Sequence, residues 1–380
     1  MTEQMLKRAE IAGAGIAGLT VAIALAQRGW RVRIHERSAT LRESGAGIYI
    51  WENGLRVLEA LDAYDKALDG CHRGFMRETR NDKNQVVAST RWGGSSGLRV
   101  VSIVRQQLLT ALLRAATSAG AKVLFGSEVI GATHDGTALL AGGDRAEADL
   151  VIAADGVNSR IRDQSGLLKA RRRLADGAIR LMIERTPLER ETEAGKKYVE
   201  YWSGTRRVLY TPCSETKLYL ALTALATDEA AKTIPLRKDV WKGSFPHLAA
   251  LFDRVGAEGR WDQFEAVKLR RWSRGRVAII GDAAHAQAPN LGQGGGCAMM
   301  SALGLAVALQ ESSTIEQGLM LWERRERALI DRTQTISSLY SRITTFPPIV
   351  RDAALSLAGR SSWLVAQRMR AANHRPTGTY

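Results

Sequence analysis

The feature that most restricts the fold of this chain is a glycine-spaced turn near its start. Gly13-Ala14-Gly15-Ile16-Ala17-Gly18 follows a short, partly apolar stretch at 8–12 and precedes helix-forming residues 19–27, closed by Arg28-Gly29. Arg31-Val-Arg-Ile-His-Glu36 then alternates as a strand does. Strand, turn, helix and strand make a βαβ unit of roughly 30 residues that ends in Glu36, 18 positions after Gly18. A lone G-x-G-x-x-G is weak; in this setting it is a dinucleotide-binding fingerprint. Gly13 permits the tight turn, Gly15 lets the backbone approach a pyrophosphate, and Gly18 lets the helix pack on the strand. Ile16 and Ala17 open the helix, whose free N–H groups and partial positive charge suit a phosphate. Glu36 can accept hydrogen bonds from a ribose diol, and Arg37 beside it is assigned to the same ligand.

Composition narrows the class. The 380 residues correspond to about two to three domain-sized units. At 45% hydrophobic and 24% charged the chain reads as an ordinary globular protein. Its 54 Lys and Arg against 39 Asp and Glu give a net charge of +15, which matches nucleic acid, an anionic cofactor or substrate, or an acidic membrane surface equally well. Cys71, Cys213 and Cys297 are too scattered for a disulfide scaffold or a zinc ribbon, and a reducing cytoplasm fits them. The six histidines lack metal-ligand spacing, so no metal is expected. Lys7 and Arg8 before the apolar run 11–26 superficially resemble a signal peptide, but Glu10 and the glycines oppose it. No apolar run is long enough for a transmembrane helix.

Residues 54–68 read as an amphipathic helix, 105–119 as another, and 298–343 as helical; 73–104 read as strands broken by loops, and 122–125, 150–154 and 277–280 as strands. The stretch 175–225 alternates in several runs and suggests a mostly antiparallel sheet. The expected fold class is therefore α/β. A discontinuous Rossmann-like domain (1–72, 98–172, 266–345) is interrupted by a mostly antiparallel sheet domain (73–97, 173–265) and followed by a basic helical segment (346–380).

Two further motifs follow the first. In Ala148-Asp149-Leu-Val-Ile-Ala-Ala-Asp155-Gly156-Val-Asn-Ser159-Arg160-Ile-Arg162 a strand runs into Asp-Gly and then a helix start. In Gly275-Arg-Val-Ala-Ile-Ile-Gly281-Asp282-Ala-Ala-His285-Ala-Gln-Ala-Pro289-Asn-Leu-Gly292-Gln293-Gly294 a strand ends in a carboxylate, and a proline-glycine turn leads into a helix. In this order and at these spacings the three motifs resemble those of the flavoprotein aromatic hydroxylases that share the para-hydroxybenzoate hydroxylase fold, over roughly residues 8–345. Within them, 45–51, 53–59, Ile179-Arg180-Leu, 207–213 and 294–299 are most similar to the 2-methyl-3-hydroxypyridine-5-carboxylate and pyridoxate-type oxygenases. Two departures stand out: Ser301-Ala302 replaces the usual Asp-Ala pair, and Glu52 adds a charge beside Trp51 that could alter substrate choice.

The resemblance implies a single-component monooxygenase with non-covalent FAD, reduced by NADH or NADPH. Addition of O2 gives a flavin C4a-hydroperoxide that hydroxylates a small anionic aromatic or N-heteroaromatic substrate, with ring opening as a variant. The cofactor carries the hard chemistry, so no other catalytic constellation is needed. By the same resemblance Asp155, Gly156 and Asp282 contact the FAD, as do Gly47, Ile48, Val129, Arg105 and Arg42. Pro289, Gly292, Gln293, Gly294 and Gly295 present backbone to the flavin edge. Arg180, Arg207 and Tyr219 fall on the substrate side, because bidentate arginine suits a carboxylate and a tyrosine can hydrogen-bond a ring hydroxyl. Tyr49 faces flavin or substrate, and Arg77 is a weaker pocket candidate. Among decoys, Gly93-Gly-Ser95-Ser-Gly97 lacks the strand-turn-helix context of a nucleophile elbow, His285 reads as a packing residue, and Arg171-Arg-Arg173 as a solvated loop without a nucleic-acid-binding motif. The chain is expected as monomer or homo-oligomer, without nucleic acid and without stable membrane insertion. The alternatives are a flavin reductase or dehydrogenase of the same fold that inserts no oxygen, and a basic nucleic-acid- or membrane-binding protein whose binding falls steeply with salt.

Overall fold

The computed structural model describes residues 6–41, 46–92 and 98–379. A six-stranded sheet runs in the order Ser273–Arg274, Val277–Ile279, Leu150–Ala153, Arg8–Ala12, Arg31–Glu36, Lys122–Phe125. All neighbours are parallel except the first pair. Ala12 pairs with Ala153 and His35, and Ala153 with Ile279, so these strands end level. That register brings the Gly13 turn, Asp155-Gly156 and Gly281-Asp282 to one edge, at the carboxyl ends where open α/β sheets bind ligands. The helices Ile16–Ala26 and Gly294–Gln310 are buried on nearly every side, which accounts for their Ala-, Gly- and Leu-rich sequences without a polar stripe.

A seven-stranded sheet follows the order Arg260–Leu269, Leu168–Glu184, Lys217–Leu225, Arg206–Pro212, Tyr198–Ser203, Met76–Arg80, Val86–Arg91. It is antiparallel except between Tyr198–Ser203 and Met76–Arg80. Side chains alternate between its faces. On one face Ile179, Leu181, Val208, Leu220 and Leu222 pack against Trp241, Phe245 and Phe252 from two short helices, each such burial contributing roughly 1.5–3 kcal/mol. The opposite face carries Arg180, Tyr219, Thr223, Arg207, Glu200 and Arg77, whose shared orientation follows from the pairings Met182↔Tyr219, Arg207↔Thr223, Glu200↔Leu209 and Tyr198↔Arg77.

Three expectations change. The helix expected over 54–68 is two, Glu52–Ala60 and Tyr64–Leu68, broken where Asp62 turns with a positive φ of 55°. The strand Leu168–Glu184 runs through the boundary expected at 172/173 and is irregular between Arg173 and Gly177. The C-terminal segment is helical only over Pro348–Arg360 and Ser362–Met369. Beyond these, Ala371 and Ala372 are buried, the Asn53 N–H donates to the Ala372 carbonyl at 3.1 Å, and the Thr377 hydroxyl donates to buried Glu326 at 2.8 Å.

Candidate functional site

A cavity of about 1650 Å³ lies between the carboxyl edge of the parallel sheet and the charged face of the seven-stranded sheet. At its first end sits the glycine turn. A Cβ on Gly13 would stand 2.6 Å from the Ala154 carbonyl oxygen, and one on Gly18 2.0 Å from that of Gly13, so strand, turn and helix touch there. Gly15 has nothing within 4 Å and lines the cavity together with Ile16 and Ala17. The helix that starts there has no side-chain cap and no acidic residue in its first turn, which leaves its N-terminal N–H groups for an anion. Gly294–Gln310 also starts without a side-chain cap or an acid, with Gly294 open and Gly295 beside it on the cavity wall. Two uncapped helix starts meeting one cavity fit a diphosphate and an electron-rich ring edge. The residues present thus suit a bound FAD.

Glu36 braces the turn: its carboxylate accepts from the N–H groups of Ala14 and Ser38, each at 3.0 Å. It does not line the cavity, nor do Gly13 and Gly18, whose work is in the turn. Arg37 is exposed beside Glu36. Arg42 lies outside the described residues. Asp155 accepts from the Arg160 N–H at 3.1 Å, and burial pushes its carboxyl up; Gly156 is on the wall. Asp282 lines the cavity, where burial raises its carboxyl against the pull of Arg105 and Arg180. Arg105, Gly47 and Ile48 line the wall as well. Val129 does not; it is buried in the main core. Gln293 is also buried away from the wall, accepting from the Asn53 amide at 3.3 Å.

The other end of the cavity is built by the sheet, by Pro289, Leu291 and Gly292 of the turn, and by aromatic residues. Gly47 is required here: a Cβ would stand 2.7 Å from the Tyr219 Cβ and 2.4 Å from the Cys213 sulfur. Arg180 faces the cavity, but its guanidinium donates to Asp262 at 2.6 Å. Arg207 donates to Glu200 at 3.0 Å and to the Asn290 side-chain oxygen at 2.8 Å, and lies 5.0 Å over the Trp202 ring. Arg77 donates to the other Glu200 oxygen, which also accepts from the Tyr340 hydroxyl at 3.2 Å. Burial opposes a charge on Glu200, yet Arg77 and Arg207 together hold its carboxyl below the usual range. Burial pushes the Tyr219 phenol up despite Arg180, so it stays a neutral donor. Tyr49 and Thr211 share a hydrogen bond of 2.5 Å between hydroxyls. Trp51 and Trp92, edge to face at 5.3 Å, add apolar and aromatic wall here, with Met182, Leu209, Ala221 and Phe264.

The structure thus brings Tyr49, Arg180, Arg207, Tyr219 and Pro289 to one cavity and adds Arg77 to them. Glu200, Asn290, Asp262, Tyr340 and Trp92 were not among the residues singled out from the sequence. The inward period of Tyr198-Val-Glu200-Tyr-Trp202, with an acid at an otherwise aromatic position, was the available signal for Glu200. Glu52 is turned away from the cavity and ion-paired: Arg99 reaches it at 2.8 Å and Arg56 at 2.9 Å. The effect on substrate choice expected of it therefore has no geometric basis. His285 is buried at 5.4 Å from the Trp272 ring, a packing position.

Residues 8–330 match the model of the FAD binding domain family. The chain belongs to this family of FAD-dependent aromatic hydroxylases. Over 370 residues it is 47% identical to a putative 2-heptyl-3-hydroxy-4(1H)-quinolone synthase from Rhodococcus erythropolis, covering 97% of each chain. It is 42% identical over 358 residues to a 2-heptyl-3-hydroxy-4(1H)-quinolone synthase from Mycobacteroides abscessus, covering 93% of this chain and 95% of that protein. The solved tetrameric form of 2-methyl-3-hydroxypyridine-5-carboxylic acid oxygenase superposes with a TM-score of 0.89 at 38% identity, covering 99% of this chain and 98% of that one. Membership makes the protein an FAD-binding oxidoreductase of the monooxygenase type. No helix among the described residues is long and apolar enough to cross a membrane.

Proposed function

We propose that the enzyme hydroxylates carbon 3 of a neutral 4-quinolone carrying an alkyl chain, with NADH or NADPH as reductant and O2 as oxygen source. The carrying observation is that three sheet arginines of the cavity wall, Arg77, Arg180 and Arg207, are already paired. Arg180 holds Asp262, and Arg77 and Arg207 hold Glu200, while Trp51, Trp92, Met182, Leu209, Ala221 and Phe264 add aromatic and aliphatic surface to the wall. Breaking the buried pairs of Glu200 to bind a carboxylate costs several kcal/mol. A neutral flat ring asks for no such exchange. The relative at 47% identity, named for a 3-hydroxy-4-quinolone product, supports the same substrate.

Bound FAD would accept a hydride from the nicotinamide and activate O2, one atom of which ends in the product and the other in water. The chain's own residues do the rest. Gly15, Ile16, Ala17, Gly156, Arg105 and Asp282 would hold the cofactor. Pro289 and Gly292 fix the ring-side turn. Tyr219 donates its hydroxyl proton to a ring oxygen, and Tyr49, Trp51, Phe264 and Leu209 exclude water.

A second reading, a small heteroaromatic acid, is favoured by Arg180, whose side chain keeps 30% exposure at the wall, and by the likeness to the pyridine-carboxylic acid oxygenase. NADH and NADPH oxidation measured with 2-heptyl-4(1H)-quinolone and with pyridine carboxylates, peroxide followed in parallel, separates the two. The quinolone should stimulate oxidation with little peroxide and yield a product one oxygen heavier, labelled from isotopic O2. A product without label would show a reductase or dehydrogenase instead.

A further inference from the structure

From Arg332 onward the sequence carries seven arginines and a single acid, Asp352. That acid is spent on Arg351 beside it, at 3.0 Å. Arg342, Arg360 and Arg370 are exposed and have no acidic partner among the described residues. Between them lies an apolar face that no described residue covers. Phe346 is 40% exposed, Ile349 86%, Val350 53%, Leu357 67%, Trp363 65% and Leu364 39%. Positions 350, 353 and 357 recur at helical spacing along Pro348–Arg360, with Phe346 just before the helix, so the outward stripe is continuous rather than scattered. Large uncovered apolar patches on soluble proteins mark contact sites.

We propose that the helices Pro348–Arg360 and Ser362–Met369 form a docking surface for an anionic lipid bilayer. A second copy of the chain is the poorer occupant. A two-fold contact sets the same patch against itself, and here that brings unpaired arginines together with no free acid to separate them. Anionic headgroups supply the missing charge, at about 1 kcal/mol per arginine near the surface. Trp363 and Phe346 suit the interfacial region, and arginine stems lie along apolar surface while their heads stay in water. The helices would lie on the membrane, not through it.

The inner side of the same helices gives the docking a purpose. Val365 and Met369 pack with Trp51, Trp92 and Tyr198, and Trp51 and Trp92 line the cavity. A bilayer on the outer face would stand one helix thickness from the aromatic end of the site. If the alkylquinolone reading holds, its tail has a short apolar route from lipid.

The test is co-sedimentation of the FAD-loaded enzyme with vesicles of phosphatidylglycerol and phosphatidylethanolamine, or of phosphatidylcholine alone. Binding to the anionic vesicles should be about tenfold stronger and fall steeply with salt. I349E/W363E should lose about tenfold of it, and R342Q/R360Q/R370Q should lose the preference for anionic lipid, both keeping FAD and turnover of a detergent-solubilised substrate. Equal or no binding to the two vesicle types overturns the proposal. So does a native oligomer that I349E/W363E converts to monomer, because a second copy then covers the face. None of these outcomes depends on which aromatic compound is turned over.

Discussion

Arg207 donates to Glu200 at 3.0 Å, and the two side chains are only 5% and 3% exposed. The pair is therefore shielded from solvent and salt, and Arg77 shares the same carboxylate. Glu200→Gln keeps the shape and removes the charge that neutralises both guanidinium groups. Stability measured by urea unfolding should fall by about 3–5 kcal/mol, because two shielded guanidinium groups lose their counter-charge. KM for the neutral quinolone should rise about tenfold, while affinity for a pyridine carboxylate, read by flavin fluorescence, should improve by a similar factor. Unchanged carboxylate binding would mean that the guanidinium groups do not reach the ligand.

The glycine turn separates cofactor binding from folding. Gly15 has open space and an ordinary φ of −81°, so Gly15→Ala should fold normally and place its methyl in the cavity. FAD affinity by fluorescence titration should weaken at least about tenfold, with less than about 1 kcal/mol lost in stability. Gly18→Ala drives a Cβ to 2.0 Å from a backbone oxygen and should cost several kcal/mol or prevent soluble expression.

Burial pushes His285 from 6.5 down to about 4. Between these values the unfolded chain binds a proton that the folded chain refuses, so acid favours unfolding. Stability from this group is intact above about pH 6.5 and lost as pH falls toward 4, by about 2 kcal/mol at about pH 5. Urea midpoints at about pH 7.5 and 5 should therefore spread less in His285→Gln than in the native enzyme. An identical spread would show that His285 is protonated when folded.

Tyr219 supplies a proton donor whose phenol stays neutral well beyond ordinary assay pH. Tyr219→Phe should lower kcat/KM about tenfold or more, with FAD affinity unchanged. The alkaline side of the rate profile should match that of the native enzyme, because this phenol does not titrate there. An alkaline limb that disappears in the variant would assign the titration to Tyr219.

The cofactor end was legible in the sequence because it depends on local order. Gly13, Asp155 and Asp282 each follow closely on the end of a strand, with Gly15 and Gly18 at the start of the helix after the first, and parallel pairing brings strand ends together almost without choice. The substrate end depends on register. Arg180 and Asp262 are 82 positions apart and meet only because Ala178 pairs with Asp262 across two strands. Arg207 could be assigned to the sheet, but not to Glu200 and Asn290, since a one-residue slip would turn it to the other face. The tail beyond Met369 was hidden for a related reason: it is fixed by a backbone hydrogen bond from Asn53 to Ala372, a contact between distant segments that leaves no periodic trace.

The Glu200 cluster also limits how such an enzyme can be recombined. Its members come from the strands Met76–Arg80, Tyr198–Ser203 and Arg206–Pro212, and from Tyr340 on the long helix Ile315–Ile343. Arg207 is tied in turn to Asn290, which donates to Ser341 at 2.7 Å on that helix. A chimera that exchanges the sheet alone for that of a relative would leave one charge of the group without its counterpart. The sheet, the Pro289–Leu291 turn and the long helix form one inheritable block, and new specificities reached by shuffling should arise when all three are moved together.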